Sequence, residues 1–223
     1  MSYIQPPDGE ELDFLAACLP EQTHLDDFVQ KITKYGEFLY QTNQFLNLTA
    51  VSPDSFWTKH ICDSVLLLRE IRGQLPLKNL ADVGCGAGLP SLPLAAAMPE
   101  LAITSMDSKG KKIKFLQDAA VSCNLTNLHA IHGRANELAA NPDFNRKFSF
   151  ITARAVASAD VLVKECRRLL NPNGVLCIYR TESQLEEEWG RLQKMKMRMI
   201  KKTIPVELPH QAGRRLFLFL QLT

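Results

Sequence analysis

The sequence predicts an α/β fold: a mostly parallel seven-stranded sheet wound on both faces, ending in an antiparallel hairpin and preceded by an N-terminal helical extension. Three observations lead there. Short apolar runs, LADVG, LAITSMD, LHAIHG, FSFITA and VLCIYR, alternate with helix-like segments near 89–98, 109–123, 158–170 and 183–193, which is the signature of βαβ units. Two further strand-like runs, Lys194–Met199 and Arg214–Leu222, follow with no helix between them, so they pair antiparallel. Before residue 78 the spacing is helical instead.

In that first part Leu25, Phe28, Val29, Ile32, Leu39 and Phe45 recur at three- and four-residue steps, and Phe56, Ile61, Val65 and Leu68 continue after a turn at Ser52-Pro53. Such spacing lays one apolar face along a helix. The division expected is therefore a helical extension over 1–77 and a sheet domain over 78–223. The turn Asn171–Gly174 is expected to close a helix and start a strand. In Lys194–Met199 methionine alternates with cations, placing the methionines inward on a strand.

The chain of 223 residues has 26 basic and 24 acidic side chains and 46% hydrophobic residues, which excludes disordered, collagen-like and disulfide-scaffold classes. The charge is unevenly spread. Residues 1–80 hold 6 basic and 11 acidic side chains, residues 81–223 hold 20 and 13, a balance of −5 against +7. A polyanionic partner is expected on the later two-thirds. Cys18, Cys62, Cys85, Cys123, Cys166 and Cys177 form no CxxC pair and no zinc-spaced cluster, so no metal site is expected and the thiols read as reduced core side chains. The acidic N-terminus does not resemble a signal peptide, and no apolar run approaches the roughly 20 residues of a membrane span. A cytoplasmic protein, monomeric and without membrane contact, is expected.

The strongest motif is Asp82-Val83-Gly84-Cys85-Gly86-Ala87-Gly88, at the end of a strand and before a helix. Glycines there let a ligand approach the backbone at the carboxyl end of the sheet. The next strand ends in Asp107, 19 residues after Gly88, where an acid accepts the ribose hydroxyls of an adenosine cofactor. A dinucleotide fingerprint needs glycine at 89, but the residue is Leu89, so Gly84, Gly86, Gly88 and Asp107 point to S-adenosylmethionine rather than NAD. The acid Asp82 near the loop suits a cationic sulfonium.

After the fourth strand comes Ala153-Arg154-Ala155-Val156-Ala157-Ser158. It lacks the Asn/Asp-Pro-Pro-aromatic segment used for amino-nitrogen methylation, and no cysteine follows proline to serve as a nucleophile toward a pyrimidine carbon. An acceptor that is already nucleophilic fits, and guanine N7 is one: its lone pair needs no general base, and positioning suffices. Other ring or tertiary nitrogens satisfy the same argument.

Several ordered motifs then coincide: Asn47-Leu48-Thr49-Ala50, Lys59-His60-Ile61-Cys62-Asp63-Ser64, the glycine loop through Ala95, Met106–Lys112, His132–Glu137 and Thr152–Ser158. Through them the chain resembles the bacterial small-subunit ribosomal RNA methyltransferase G family, also called glucose-inhibited division protein B. The resemblance implies a Rossmann-like class I methyltransferase that transfers a methyl group from S-adenosylmethionine to guanine N7 in a loop of 16S ribosomal RNA near the decoding region. It carries cofactor contacts onto Gly84, Leu89, Ala135, Asn136 and Arg154. Ser91 stands where the family usually has glycine, and Tyr179-Arg180 where lysine-glycine is common.

His60 and Asp63 share a helix face and, with Arg154, are candidates for positioning the acceptor; no covalent or acid/base catalyst is expected. Asn136 also reads as a helix cap. Lys109, Lys111, Lys112 and Lys114 are candidate RNA contacts, the later cluster from Arg191 to Lys202 a solvated face, and Phe45 and Trp57 core side chains that could otherwise stack on a base. Two other readings stay open, a small-molecule or protein N-methyltransferase and a non-catalytic cofactor-binding ribosome-assembly factor.

Overall fold

A computed structural model describes residues 3–73, 77 and 79–222. The expected division after residue 77 therefore falls beside residues 74–76 and 78, which lie outside the described set. Helix α1 (Gly9–Cys18) starts in a reciprocal cap: the Asp8 carboxylate accepts from the Glu11 amide at 3.0 Å, and the Glu11 carboxylate accepts from the Asp8 amide at 3.1 Å. Such a box satisfies two otherwise orphaned donors. Helix α2 (Leu25–Asn43) buries Phe28, Ile32, Tyr35 and Leu39 along one stripe. A short 3₁₀ turn (Pro53–Ser55) and a wide π-helical turn (Trp57–Cys62) lead into α3 (Asp63–Ile71).

Phe45 departs from expectation. Helix α2 stops at Asn43, whose side chain accepts from the amides of Leu48 and Thr49 at 2.8 and 3.0 Å. The chain turns there, and Phe45 is 87% exposed instead of continuing the buried stripe. Trp57 is buried as expected, its indole N–H donating to the Gln5 carbonyl at 2.8 Å.

The rest alternates as βαβ units: β1 (Asn79–Val83), α4 (Ser91–Ala97), β2 (Ala102–Asp107), α5 (Gly110–Ser122), β3 (Leu128–His132), α6 (Ala135–Leu138), β4 (Phe148–Ala153), α7 (Ala159–Cys166), β5 (Leu170–Arg180), α8 (Glu182–Leu192), β6 (Met197–Lys202), β7 (Val206–Glu207) and β8 (Arg214–Leu222). The sheet order is β3-β2-β1-β4-β5-β8-β6. Pairs from β3 to β5 are parallel, and β8 lies antiparallel between β5 and β6. This is the expected seven-strand sheet with its terminal hairpin; the two-residue β7, paired to the start of β8, is an addition.

Side chains alternate across the sheet. Leu80, Ile103, Phe150, Cys177 and Phe219 face a core shared with α1–α5, while Ala81, Met106, Ile151, Leu176 and Leu218 face α7 and α8. The helical extension thus completes the core on one face. Met195, Met197 and Met199 do point inward, and Arg198 outward. Asn171–Gly174 corrects the expectation of a helix stop: α7 has already ended at Cys166, and the four residues bulge inside β5 between the pairs Phe148–Leu170 and Phe150–Val175. A Cβ on Gly174 would lie 2.9 Å from the Phe148 carbonyl, so this close approach requires glycine.

Candidate active site at the carboxyl end of the sheet

The glycine loop leaves β1 by hanging from the neighbouring strand: the amides of Gly84 and Cys85 both donate to the Met106 carbonyl, at 2.7 and 3.1 Å. Gly84, Gly86 and Gly88 have φ of +72°, +56° and +90°, a region that glycine enters without cost. Their surroundings differ. A Cβ on Gly84 would sit 2.5 Å from the Val156 side chain and one on Gly88 2.5 Å from Leu116, whereas above Gly86 the nearest atom is the Lys112 Nζ at 3.7 Å. Gly86 is thus the point where a ligand can meet the backbone.

Asp107, at the end of β2, closes the loop. Its Oδ2 accepts from the Gly86 amide at 3.0 Å and its Oδ1 from the Lys109 amide at 2.8 Å, which fixes the carboxylate while leaving each oxygen further lone pairs. A cleft of about 410 Å³ opens here, lined by Gly84, Asp107, Ala135, Val156 and also Lys109 and Lys112. Glycine backbone, a fixed carboxylate at Asp107 and a small buried side chain at Ala135 fit an adenosyl cofactor. Leu89 does not line the cleft; it is half-buried against the core shared with α4. Asn136 is exposed inside the first turn of α6, its side-chain Oδ1 accepting from the Glu137 amide at 3.0 Å; the cap position belongs to Arg134, so the capping role does not hold.

Beneath the loop Asp82 is fully buried, accepting from the Ser91 amide at 3.3 Å. Burial pushes its carboxyl up to about 7, against the pull of Ser91 and the more distant Arg154. The contact comes from the backbone at 91, and the Ser91 hydroxyl itself is buried without a hydrogen-bond partner.

The structure gathers Arg154, His60 and Asp63 into one network, separate from the lining of the glycine cleft. Arg154 donates from Nη1 to the Ser64 hydroxyl at 2.8 Å and from Nη2 to the Lys59 carbonyl at 2.8 Å, and its Nε lies 3.3 Å from Asp63 Oδ2. It therefore clasps the π-helical turn against the end of β4. His60 Nδ1 faces Arg154 Nη2 at 3.4 Å and Nε2 faces the Thr49 hydroxyl at 2.8 Å. Because a guanidinium can only donate, Nδ1 is the acceptor and Nε2 carries the proton. Burial, then the Arg154 charge, lowers the His60 pKa to about 3, so the imidazole is neutral.

Several participants gave no motif signal. Arg215 on β8 reaches Asp63 Oδ1 at 3.0 Å, and Tyr35 on α2 donates to the Ala87 carbonyl at 2.8 Å; contacts across such sequence distances leave no local pattern. Tyr179 and Arg180 are buried within β5. The Arg180 Nε pairs with Glu188 at 2.8 Å and its Nη2 donates to the Ala157 carbonyl at 2.6 Å, so this pair holds the turn after β4. Of the candidate lysines, Lys109 and Lys112 line the cleft, Lys114 pairs with Asp118 at 2.6 Å, and Lys111 is exposed. Among the described residues, the one group with metal-ligand spacing is Asp8, Glu11 and His210, where His210 is already paired to Asp8 at 2.8 Å.

A doubly wound sheet with an antiparallel strand next to its far edge, a glycine loop after β1 and an acid closing β2 define a Rossmann-like methyltransferase that uses S-adenosylmethionine. The model of the family "rRNA small subunit methyltransferase G" matches residues 28–216. The chain is 39% identical over 165 residues to ribosomal RNA small subunit methyltransferase G of Ligilactobacillus salivarius, covering 73% of this chain and 68% of that one, and 34% identical to the protein of the same name from Lactococcus lactis, covering 82% and 77%. It belongs to the rRNA small subunit methyltransferase G family. The fold is shared with a SAM-dependent methyltransferase from Aquifex aeolicus (TM-score 0.55, 18% identity, 72% of this chain and 90% of that one) and with TrmN from Thermus thermophilus (TM-score 0.54, 18% identity, 72% and 49%). No described helix is long and apolar enough to cross a membrane.

Proposed function

We propose that this enzyme methylates guanine N7 in a loop of 16S ribosomal RNA near the decoding region, either in the free RNA or in the small subunit. Family membership supports the RNA substrate, and one observation carries the choice of acceptor: beside the cofactor cleft at the carboxyl end of the sheet, no exposed thiol stands among the described residues to form a covalent adduct. All six cysteines are buried, and burial raises the pKa of each above its ordinary value. None supplies the thiolate that attack on a pyrimidine carbon demands. The His60 nitrogen that could accept a proton is turned to Arg154.

S-adenosylmethionine, when bound, supplies a methyl group on a cationic sulfonium. The residues that would hold it are Gly84, Gly86, Gly88 and Leu89 on the first loop, Asp107 for the ribose hydroxyls, and Ala135 and Asn136 after β3, with Arg154 bordering the acceptor side. In this reading residues 78–223 are the cofactor domain, while residues 1–77 contribute His60 and Asp63 to the acceptor side. A free ring nitrogen needs only orientation and exclusion of water, and the rigid Arg154–His60–Asp63 network provides a fixed wall for both.

Incubation with radiolabelled S-adenosylmethionine and unmethylated small subunits, or RNA extracted from them, followed by nucleoside analysis, tests the reading. N7-methylguanosine at one loop is expected. Label on another nucleoside overturns the acceptor assignment, and turnover on a small molecule with none on RNA overturns the substrate class.

A further inference from the structure

A second, smaller cavity opens at the carboxyl ends of β4 and β5. It holds about 150 Å³ and is lined by Asp63, Arg154, Thr181, Gln184 and Arg215 among others, meeting the cofactor cleft at Ala155. Its charges do not cancel. The Asp63 carboxylate receives two guanidiniums, Arg154 at 3.3 Å and Arg215 at 3.0 Å, while the neighbouring Arg180 is neutralised by Glu188. One positive charge is left over.

The spare hydrogen-bonding capacity has the same sign. Arg154 spends its donors on Asp63, Ser64 and the carbonyls of Lys59 and His60. Arg215 Nε faces Asp63 Oδ1 in an ion pair without hydrogen-bond geometry, and Nη1 donates to the Arg214 carbonyl, which leaves Nη2 without a partner among the described residues. The Gln184 carbonyl accepts from the Thr181 amide at 3.0 Å, and its NH₂ has no partner among them. Two free donors under a surplus positive charge, in a cavity too small for a nucleoside, fit a tetrahedral oxyanion.

We propose that Arg215 and Gln184 hold an RNA phosphodiester beside the methyl-accepting nucleotide, with Asp63 and Arg154 fixing the Arg215 guanidinium. This rests on the RNA reading above. Because the cavity adjoins the cofactor cleft at Ala155, a phosphate gripped here sets the attached nucleoside at the mouth of that cleft.

Two variants test it. Arg215→Gln removes the charge, and Gln184→Glu introduces a repelling one without touching the Asp63 ion pairs. Binding of unmethylated small-subunit RNA is measured across salt concentrations, alongside methyl-transfer kinetics and S-adenosylmethionine affinity. Both variants are expected to raise the KM for RNA about tenfold, and Arg215→Gln to lower the slope of log Kd against log salt by about 1. Cofactor affinity should stay within about twofold of the parent for either variant. Unchanged KM and slope in both overturn the proposal, as does a parallel loss of cofactor affinity. Titration of the parent with inorganic phosphate, followed on the arginine Nε–H NMR signals, separates this site from the functional reading. If phosphate moves the Arg215 signal while no RNA is methylated, the functional reading falls and the anion site stands; if RNA is methylated and phosphate leaves that signal in place, the anion site falls.

Discussion

The hydroxyl of Tyr35 lies 2.8 Å from the carbonyl oxygen of Ala87, so a residue of the helical extension holds the glycine loop from beneath. The ring is fully buried, and removing its hydroxyl leaves a carbonyl of the cofactor loop unpaired. That costs roughly 1–3 kcal/mol. Tyr35→Phe is expected to lower the urea midpoint with an unchanged m value and to weaken S-adenosylmethionine binding several-fold by calorimetry. Unchanged cofactor affinity in a destabilised variant would show that the loop keeps its shape without the extension.

The three loop glycines are not equivalent. An alanine at 84 places its methyl carbon 2.5 Å from Val156, at the wall of the cleft, while at 86 the nearest atom is the tip of a lysine at 3.7 Å. Both carry the cost of positive φ, about 1–2 kcal/mol. Gly84→Ala should therefore lose both stability and cofactor binding, because Val156 must move into the cleft or the loop must shift. Gly86→Ala should fold close to normally yet lose cofactor affinity through its exposed methyl. Thermal unfolding set beside calorimetric Kd separates the two outcomes.

Asp82 and His60 set opposite slopes on stability against pH. The Asp82 carboxyl is raised from 3.8 to about 7 in the folded protein. The folded state thus holds the proton more tightly, and the stability this contributes is complete below pH 3.8 and lost as the pH climbs to about 7. His60 is lowered from 6.5 to about 3; its contribution is present above pH 6.5 and disappears as the pH falls toward about 3. Urea unfolding over this range should show Asp82→Asn gaining on the parent as pH rises, with a slope of up to about 1.4 kcal/mol for each step of one in pH, and levelling off beyond about pH 7. His60→Gln should flatten the acid limb instead. A parallel displacement at every pH would mean that neither group changes charge where its burial places it.

Phe45 and Trp57 separate what a periodic sequence tells from what it hides. Both sit in an apolar pattern, yet one is 87% and the other 4% exposed. Trp57→Ala should cost about 3–5 kcal/mol, while Phe45→Ala should stay within about 0.5 kcal/mol. A large loss at Phe45 would place it back in the core.

The sheet, its hairpin, the glycine loop and Asp107 are legible in the sequence because each is local: a strand of period two, a glycine triplet, an acid one strand onward. The exposure of Phe45 is not, because a single side chain, Asn43, ends the helix before the period does. Nor is the role of Asn171–Gly174, since a turn signature marks a bend without saying whether a helix or a bulge contains it. The Asp63–Arg154–Arg215 cluster joins an extension helix, the end of β4 and the final strand; only the folded chain brings together residues so far apart in sequence. Asn47–Ala50 stands out as a motif, and its physical content is the Thr49 hydroxyl that accepts a hydrogen bond from His60 Nε2.

The lysines at the start of α5 offer the sharpest division between cofactor and RNA. Lys111 is exposed, and Lys112 lines the cleft beside Gly86, although the two are adjacent in sequence. A phosphate contact from an exposed lysine adds affinity that salt screens, so Lys111→Glu should weaken RNA binding and reduce its salt dependence while leaving S-adenosylmethionine affinity unchanged. Lys112→Glu sets a carboxylate next to the loop and close to Asp107; it should alter both affinities, because the added charge acts inside the cleft as well as on its rim. Filter binding of small-subunit RNA and calorimetry of the cofactor, run on the same two proteins, decide the matter. Equal effects of the two variants on cofactor binding would remove Lys112 from the cleft, and unchanged RNA binding in both would leave this helix face merely solvated.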